Sequence, residues 1–227
     1  TAERISSSAT PVDLVVNNAG FGTSGQFHEL EVDRLAGEVE LNVKALTVLS
    51  HAALAVMVPR GRGYLLNVSS VASFQASPGL GVYAATKAYV TSLTEALHAE
   101  VKASGVHVTA LCPGLTKTEF QVHSNTSGLA ARIPYIAWTS VEQVASTGLA
   151  DVESNKTLSV PGMLYKTSVT ASTRIIVFRN NLVTHSSQYS CLLCGEVSPG
   201  RVITVITRKK KVRTGNADPC IPDEITS

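Results

Sequence analysis

Residues 63–90 read GYLLNVSSVASFQASPGLGVYAATKAYV, and no other stretch limits the possible folds as much. An apolar run of strand length closes on two serines, Ser69 and Ser70. A loop containing Ser77-Pro78-Gly79 follows, and then a helix that carries Tyr83 and Lys87. Residues four apart on a helix project from one face about a turn apart, so the phenol and the amine can reach one ligand. A hydroxyl at the carboxyl end of a strand and a phenol on the next helix converge where open parallel sheets bind their ligands.

A phenol with a reference pKa of ~10 is a poor base at neutral pH. Lowering it to about 7 takes roughly 3 units, or ~4 kcal/mol of preference for the phenolate, which a close cation in a dry site can supply. Lys87 is expected to be that cation and Tyr83 a general acid/base. Alone, the pair is better read as a half-buried tyrosine beside a solvated lysine; its surroundings reverse that weighting.

Those surroundings are Asn17-Asn18-Ala19-Gly20 after one apolar run, Leu41-Asn42-Val43 in a helical stretch, Ser70 thirteen residues before Tyr83, and Pro113-Gly114 after another apolar run. With these marks in this order the chain resembles the short-chain dehydrogenase/reductase family, in its single-domain branch. The extended branch of sugar epimerases and reductases shares the Tyr-x-x-x-Lys spacing, but the intact Asn-Asn-Ala-Gly favours the shorter form.

The resemblance implies a Rossmann-like, doubly wound parallel α/β sheet and hydride transfer between NAD or NADP and a small alcohol or carbonyl substrate. It implies a catalytic set of Asn42, Ser70, Tyr83 and Lys87, with Asn42 holding a water that connects Lys87 to solvent. It places Asn18, Ala19 and Gly20 beside the cofactor ribose with Tyr83 and Lys87. Pro113, Gly114, the Thr116 amide and the Thr118 hydroxyl lie at the nicotinamide. Asn17 ties the sheet together. A homodimer or homotetramer is implied, with Ala84, Ala85 and Ala88 allowing another helix close. The simpler alternatives are a kinking or capping amide at Asn42 and ordinary loop hydroxyls at Thr116 and Thr118.

Along the rest of the chain, helical periodicity runs over 30–58 and a strand lies within 105–114, Gly105 ending the helix before it. His107 alternates away from the apolar positions and receives no catalytic role. Residues 121–138 show no period. Phe120, Ile133, Tyr135 and Trp138 give that stretch an apolar character suited to an apolar substrate, or to a small satellite core. Thr139-Ser-Val-Glu142 has a capping-box spacing that opens a helix through Ala150, and residues 158–162 resemble the family's last strand.

With 44% hydrophobic residues in 227 and a net charge of +2, the chain can bury one sizeable core and carries no signal for a polyanionic partner. No apolar run of membrane-spanning length and no signal peptide stand out, so the expected location is the cytoplasm, with neither nucleic acid nor membrane as partner. Cys112 lies in a buried-strand pattern. Cys191, Cys194 and Cys220, with His185, match no standard finger spacing, so no metal site is expected. Asn125-Thr-Ser and Asn155-Lys-Thr are read as chance glycosylation patterns.

Both ends depart from the family pattern. The sequence opens on Thr1, and no Gly-x-x-x-Gly-x-Gly turn precedes Asn17. The expectation is therefore an incomplete domain over 1–166, without its first strands or pyrophosphate loop, and with its first strand as an open apolar edge. A chain of this kind binds NAD(P) weakly, or survives as an inactive or binding-only form. Residues 167–227 hold eight Lys/Arg and four Asp/Glu, against eleven and thirteen in 1–166. They read as a divergent basic tail, with 208–213 a solvated charged run rather than a binding patch.

Overall fold

Four short apolar runs form strands β1 (Leu14–Asn17), β2 (Gly63–Val68), β3 (Val106–Leu111) and β4 (Leu158–Ser159). They lie side by side in chain order and all pair in parallel. Parallel neighbours need long crossovers, and here these are helical: α2 (Val32–Val39), α3 (Leu46–Arg60), α4 (Gly81–Glu100) and α6 (Val141–Glu153). Short helices α1 (Ala2–Ile5) and α5 (Phe120–His123) complete the set used here. This computed structural model describes residues 1–7, 11–118, 120–124, 134, 137–167 and 169, all within one compact unit, Thr1–His185. Cys191, Cys194, Cys220, His185, Asn125, Ile133, Tyr135 and the 208–213 run lie outside the described residues.

Alternation along the strands sorts side chains to two faces. Val15, Leu65, Val106 and Val108 pack with Ala53 and Met57 of α3 on one face, while Leu66 and Leu111 pack with Val152 of α6 on the other. Val16 pairs in register with Leu66 and so shares the α6 face. Yet Leu14 and Val16 are 37% and 44% exposed. The open apolar strand expected from the sequence is therefore present at β1.

The helical stretch expected over 30–58 is one continuous run with an insertion. Between α2 and α3 the backbone takes a π turn, Glu40–Ala45, and Asn42 sits inside it, 1% exposed. A single π turn changes which residues face inward without ending the helix. By length and mean hydropathy (1.6), Val32–Arg60 is also long and apolar enough to cross a membrane, which the sequence reading did not single out. One face carries buried Asn42 and Ser50 hydrogen-bonded into the fold, while Val32, Val39, Val48 and Val58 are exposed on the other. The cap of α6 differs by one position from expectation. The Ser140 hydroxyl accepts from the Gln143 amide at 3.1 Å, and the helix runs to Glu153.

Candidate active site

A buried polar chain fixes the first strand against two helices. Asn17 Nδ2 donates to Asn67 Oδ1 at 2.8 Å and to Ser50 Oγ at 3.1 Å, and Asn67 Nδ2 donates to Thr94 Oγ1 at 3.0 Å. From this anchored strand the chain leaves through Asn18-Ala19-Gly20. A Cβ on Gly20 would stand 2.8 Å from Asn42 Oδ1 and 3.5 Å from Lys87 Nζ. Glycine is needed here because the backbone runs against both side chains. Asn42 in turn holds the loop: its Oδ1 accepts from the Phe21 amide at 3.1 Å, and its Nδ2 donates to the Phe21 carbonyl at 2.8 Å and to Thr86 Oγ1 at 3.1 Å. Both donors of the amide are thereby used, so the side chain acts as a clamp. Any relay water on Asn42 falls to its backbone.

The i, i+4 spacing brings Tyr83 and Lys87 together as expected, with Nζ 5.8 Å from the phenol ring centre. Lys87 is 5% exposed, and its ammonium donates to the Val68 carbonyl at 2.8 Å. Burial pulls its pKa down to about 8, opposed by Cys112 and Glu38. Burial pushes the Tyr83 phenol up, with Ser70 opposing it through hydrogen bonding and Glu38 and Cys112 adding to the rise. The phenol is thus raised, where the sequence reading expected Lys87 to lower it. The physical reason is the burial of the phenol itself, with the amine turned onto the Val68 carbonyl rather than onto the phenol oxygen.

Ser70 extends from the end of β2 and caps the turn Val71–Phe74, its Oγ accepting from the Ala72 amide at 3.1 Å. Ser70, Tyr83 and Lys87 line one open cavity of about 1010 Å³ together with Asn18, Gly20, Pro113, Gly114, Thr116 and Thr118. Of the residues singled out from the sequence, Ala19 is exposed and outside this lining, and Asn42 lies behind it. The Thr118 hydroxyl accepts from the Phe120 amide at 3.2 Å, and the Thr116 hydroxyl donates to the Gly114 carbonyl at 3.2 Å. Cys112 is fully buried with its pKa pushed up to about 11 by burial, an inert thiol.

Of three further residues at the site, Phe120 was expected only as apolar lining or satellite core, and Tyr165 and Glu38 carry no mark in the sequence reading. Phe120 leans on Tyr83, ring centres 5.3 Å apart, and both press on Gly22, where a Cβ would meet them at 3.0–3.2 Å. Tyr165 lies across Gly114, where a Cβ would fall 2.1 Å from the ring. Its hydroxyl accepts from the Leu115 amide at 3.1 Å and donates to the Ala137 carbonyl at 2.5 Å. Glu38, fully buried behind the loop at 20–25, is the third. Glycines at 20, 22 and 114 were the available signal, since each marks a place where backbone meets a large side chain.

The donor set fits the ribose and nicotinamide end of a dinucleotide: an amine, a phenol and loop hydroxyls face a cavity floored by side-chain-free Gly20. No Gly-x-x-x-Gly-x-Gly turn of the kind that takes a pyrophosphate precedes Asn17 in this sequence.

Residues 1–128 match the family model described as short chain dehydrogenase. An uncharacterized oxidoreductase of Myxococcus xanthus (strain DK1622) is 37% identical over 128 residues, 55% of this chain and 51% of the relative. One from Staphylococcus aureus (strain N315) is 32% identical over 116 residues, 51% and 50% of the two chains. The chain thus spans about half the length of the curated relatives it matches. Among solved structures it is similar to a short-chain dehydrogenase from Sphingobium yanoikuyae in complex with NADPH, at TM-score 0.68 and 24% identity, covering 83% of this chain and 71% of that one. That likeness bears on the fold. A putative NAD(P) dependent gluconate 5-dehydrogenase from Beutenbergia cavernae with bound NADP gives TM-score 0.58 at 30% identity, covering 70% and 68%. With more than half of its length matched by the family model, and with a parallel sheet and helices of the same kind, the chain belongs to the short chain dehydrogenase family.

Proposed function

We propose that this chain carries the catalytic part of an NAD(P)-dependent oxidoreductase that interconverts an alcohol and a ketone or aldehyde. The observation that carries the reading is the convergence of the Ser70 hydroxyl, the Tyr83 phenol and the Lys87 amine on one cavity. When bound, a nicotinamide cofactor, NAD or NADP, supplies or accepts the hydride. Asn18, Gly20, Lys87, Gly114, Thr116 and Thr118, which line the cavity, would hold it. Ser70 holds the substrate oxygen by hydrogen bonding and stabilises charge developing there. Tyr83 exchanges the proton with that oxygen. Because burial keeps the phenol protonated, its resting state suits proton donation to a carbonyl.

General acid–base catalysis of this kind contributes ~100- to 10,000-fold. Tyr83→Phe in the full-length protein is expected to lose turnover by that order while keeping its circular dichroism spectrum. Undiminished turnover in the folded variant removes Tyr83 from the mechanism. The apolar cavity walls at Phe120, Val141 and Leu149 favour an apolar substrate. Exposed Val39, Val48 and Tyr89 on α2, α3 and α4 support a homodimer or homotetramer.

A further inference from the structure

Ser69 is the other serine at the end of β2, and the proposed chemistry leaves it without a task. It is 3% exposed and lines the same cavity as Ser70, Tyr83 and Lys87. Its amide donates to the Leu111 carbonyl at 2.7 Å, which ties its backbone to β3. Its hydroxyl crosses to the catalytic helix. Oγ donates to the Lys87 carbonyl at 2.8 Å and lies 2.7 Å from Thr91 Oγ1. A hydroxyl has one proton to give. With that proton on the Lys87 carbonyl, the Thr91 hydroxyl is the donor of the second bond, and the chain of bonds runs from Thr91 through Ser69 to Lys87.

These bonds are the upper rung of a polar ladder between β2 and α4. Two residues back, on the same face of the strand, Asn67 Nδ2 donates to Thr94 Oγ1 at 3.0 Å. Lys87, Thr91 and Thr94 follow one another four and three residues apart and so line one face of α4. The rungs differ in what they hold. Asn67 and Thr94 meet fully buried beneath the site, whereas Ser69 grips Lys87 itself. Val68 takes the other end of that residue, accepting from Lys87 Nζ at 2.8 Å. Two consecutive strand residues thus hold Lys87 by its carbonyl and by its ammonium, and the next one, Ser70, lines the cavity.

We propose that Ser69 is a positioning residue whose hydroxyl locks the Lys87 backbone to the strand end that carries Ser70, and so sets the spacing between that serine and the Tyr83–Lys87 pair. The purpose rests on the oxidoreductase reading; the bonds and the test do not. Without the hydroxyl, the turn of α4 at Lys87 is released from β2, and water reaches the ammonium. Relief of burial raises the pKa of an amine.

The test is a 13C NMR titration of the lysine-labelled full chain, with the Lys87 signal assigned by its disappearance in Lys87→Met. The Lys87 midpoint, about 8 before substitution, is expected to rise by about half a unit or more in Ser69→Ala. Thr94→Val, which cuts the lower rung, is expected to leave it in place. Where Ser69→Ala does not fold, Ser69→Cys replaces it, with a smaller rise expected because a thiol is a weaker donor. An unmoved midpoint in the folded Ser69 variant overturns the proposal. So does an equal rise in Thr94→Val, since any loosening of α4 would then free the amine. Turnover is not read, so failure of the oxidoreductase reading shows separately, as the expected shift in a chain without dehydrogenase activity.

Discussion

Lys87 is at once the group the proposed chemistry needs charged and one that burial discharges. Its folded pKa of about 8 lies below the ordinary 10.5, so between those values the unfolded chain binds more protons than the folded one. Stability then rises with pH through that window. The cost of burying the ammonium is fully present below about pH 8 and is relieved towards 10.5. Denaturant unfolding of the protein and of Lys87→Met between pH 7 and 10.5 is expected to show a rise on the order of 3 kcal/mol in the former that the latter lacks. Parallel pH dependence in the two would place the titration elsewhere. At this same scale, Gly20 shows why the loop tolerates no side chain: the Asn42 amide it would strike is held by three hydrogen bonds and has nowhere to move.

Among the elements, β4 is the weakest strand, two residues long, and a side chain of α6 holds it. Asp151, 6% exposed, accepts from Lys156 Nζ at 2.5 Å and from Ser159 Oγ at 2.7 Å. Burial pushes its pKa up, but Lys156 and Ser159 more than offset this, and the net pKa is lowered. Its stabilising contribution is present above the unfolded aspartate pKa and is lost as pH falls through the folded one. Asp151→Asn is expected to cost about 1–3 kcal/mol near neutrality, discounted towards the lower end because Lys156 is largely exposed. The deficit should shrink in acid, and urea melts at pH 7 and pH 3 check both statements. How far the sequence foretells these elements depends on how local their cause is. Tyr83 and Lys87 were legible because a helix enforces their spacing, and the Gly105 turn because its φ of +74° favours glycine. The π turn at Asn42 was not, since one extra residue in a helical run barely disturbs its hydrophobic period. Tyr165 was hidden because its partner Leu115 is fifty residues away. Glu38 was hidden because a glutamate on a helix reads as a solvated one.

For the molecule as a whole, the decisive surface is the α6 side of β1. Leu14 and Val16 share it with Leu66, and α6 covers the later strands but leaves the first two side chains open. An open parallel edge with apolar side chains pairs readily with another chain. The 227-residue chain by itself is expected to self-associate, to lose that tendency in Val16→Lys, and to bind NAD(P) no tighter than the millimolar range. Light scattering checks the first two points and fluorescence titration the third; micromolar binding by this chain overturns the last.

Tyr165 stands at the feet of the segment that leaves the Pro113-Gly114 turn and returns towards α6, gripping Leu115 on the way out and Ala137 on the way back. One side chain thus moors both banks, so whatever lies between Leu115 and Ala137 sets out and lands at fixed berths, the first of them on the cavity that Ser70 and Tyr83 share.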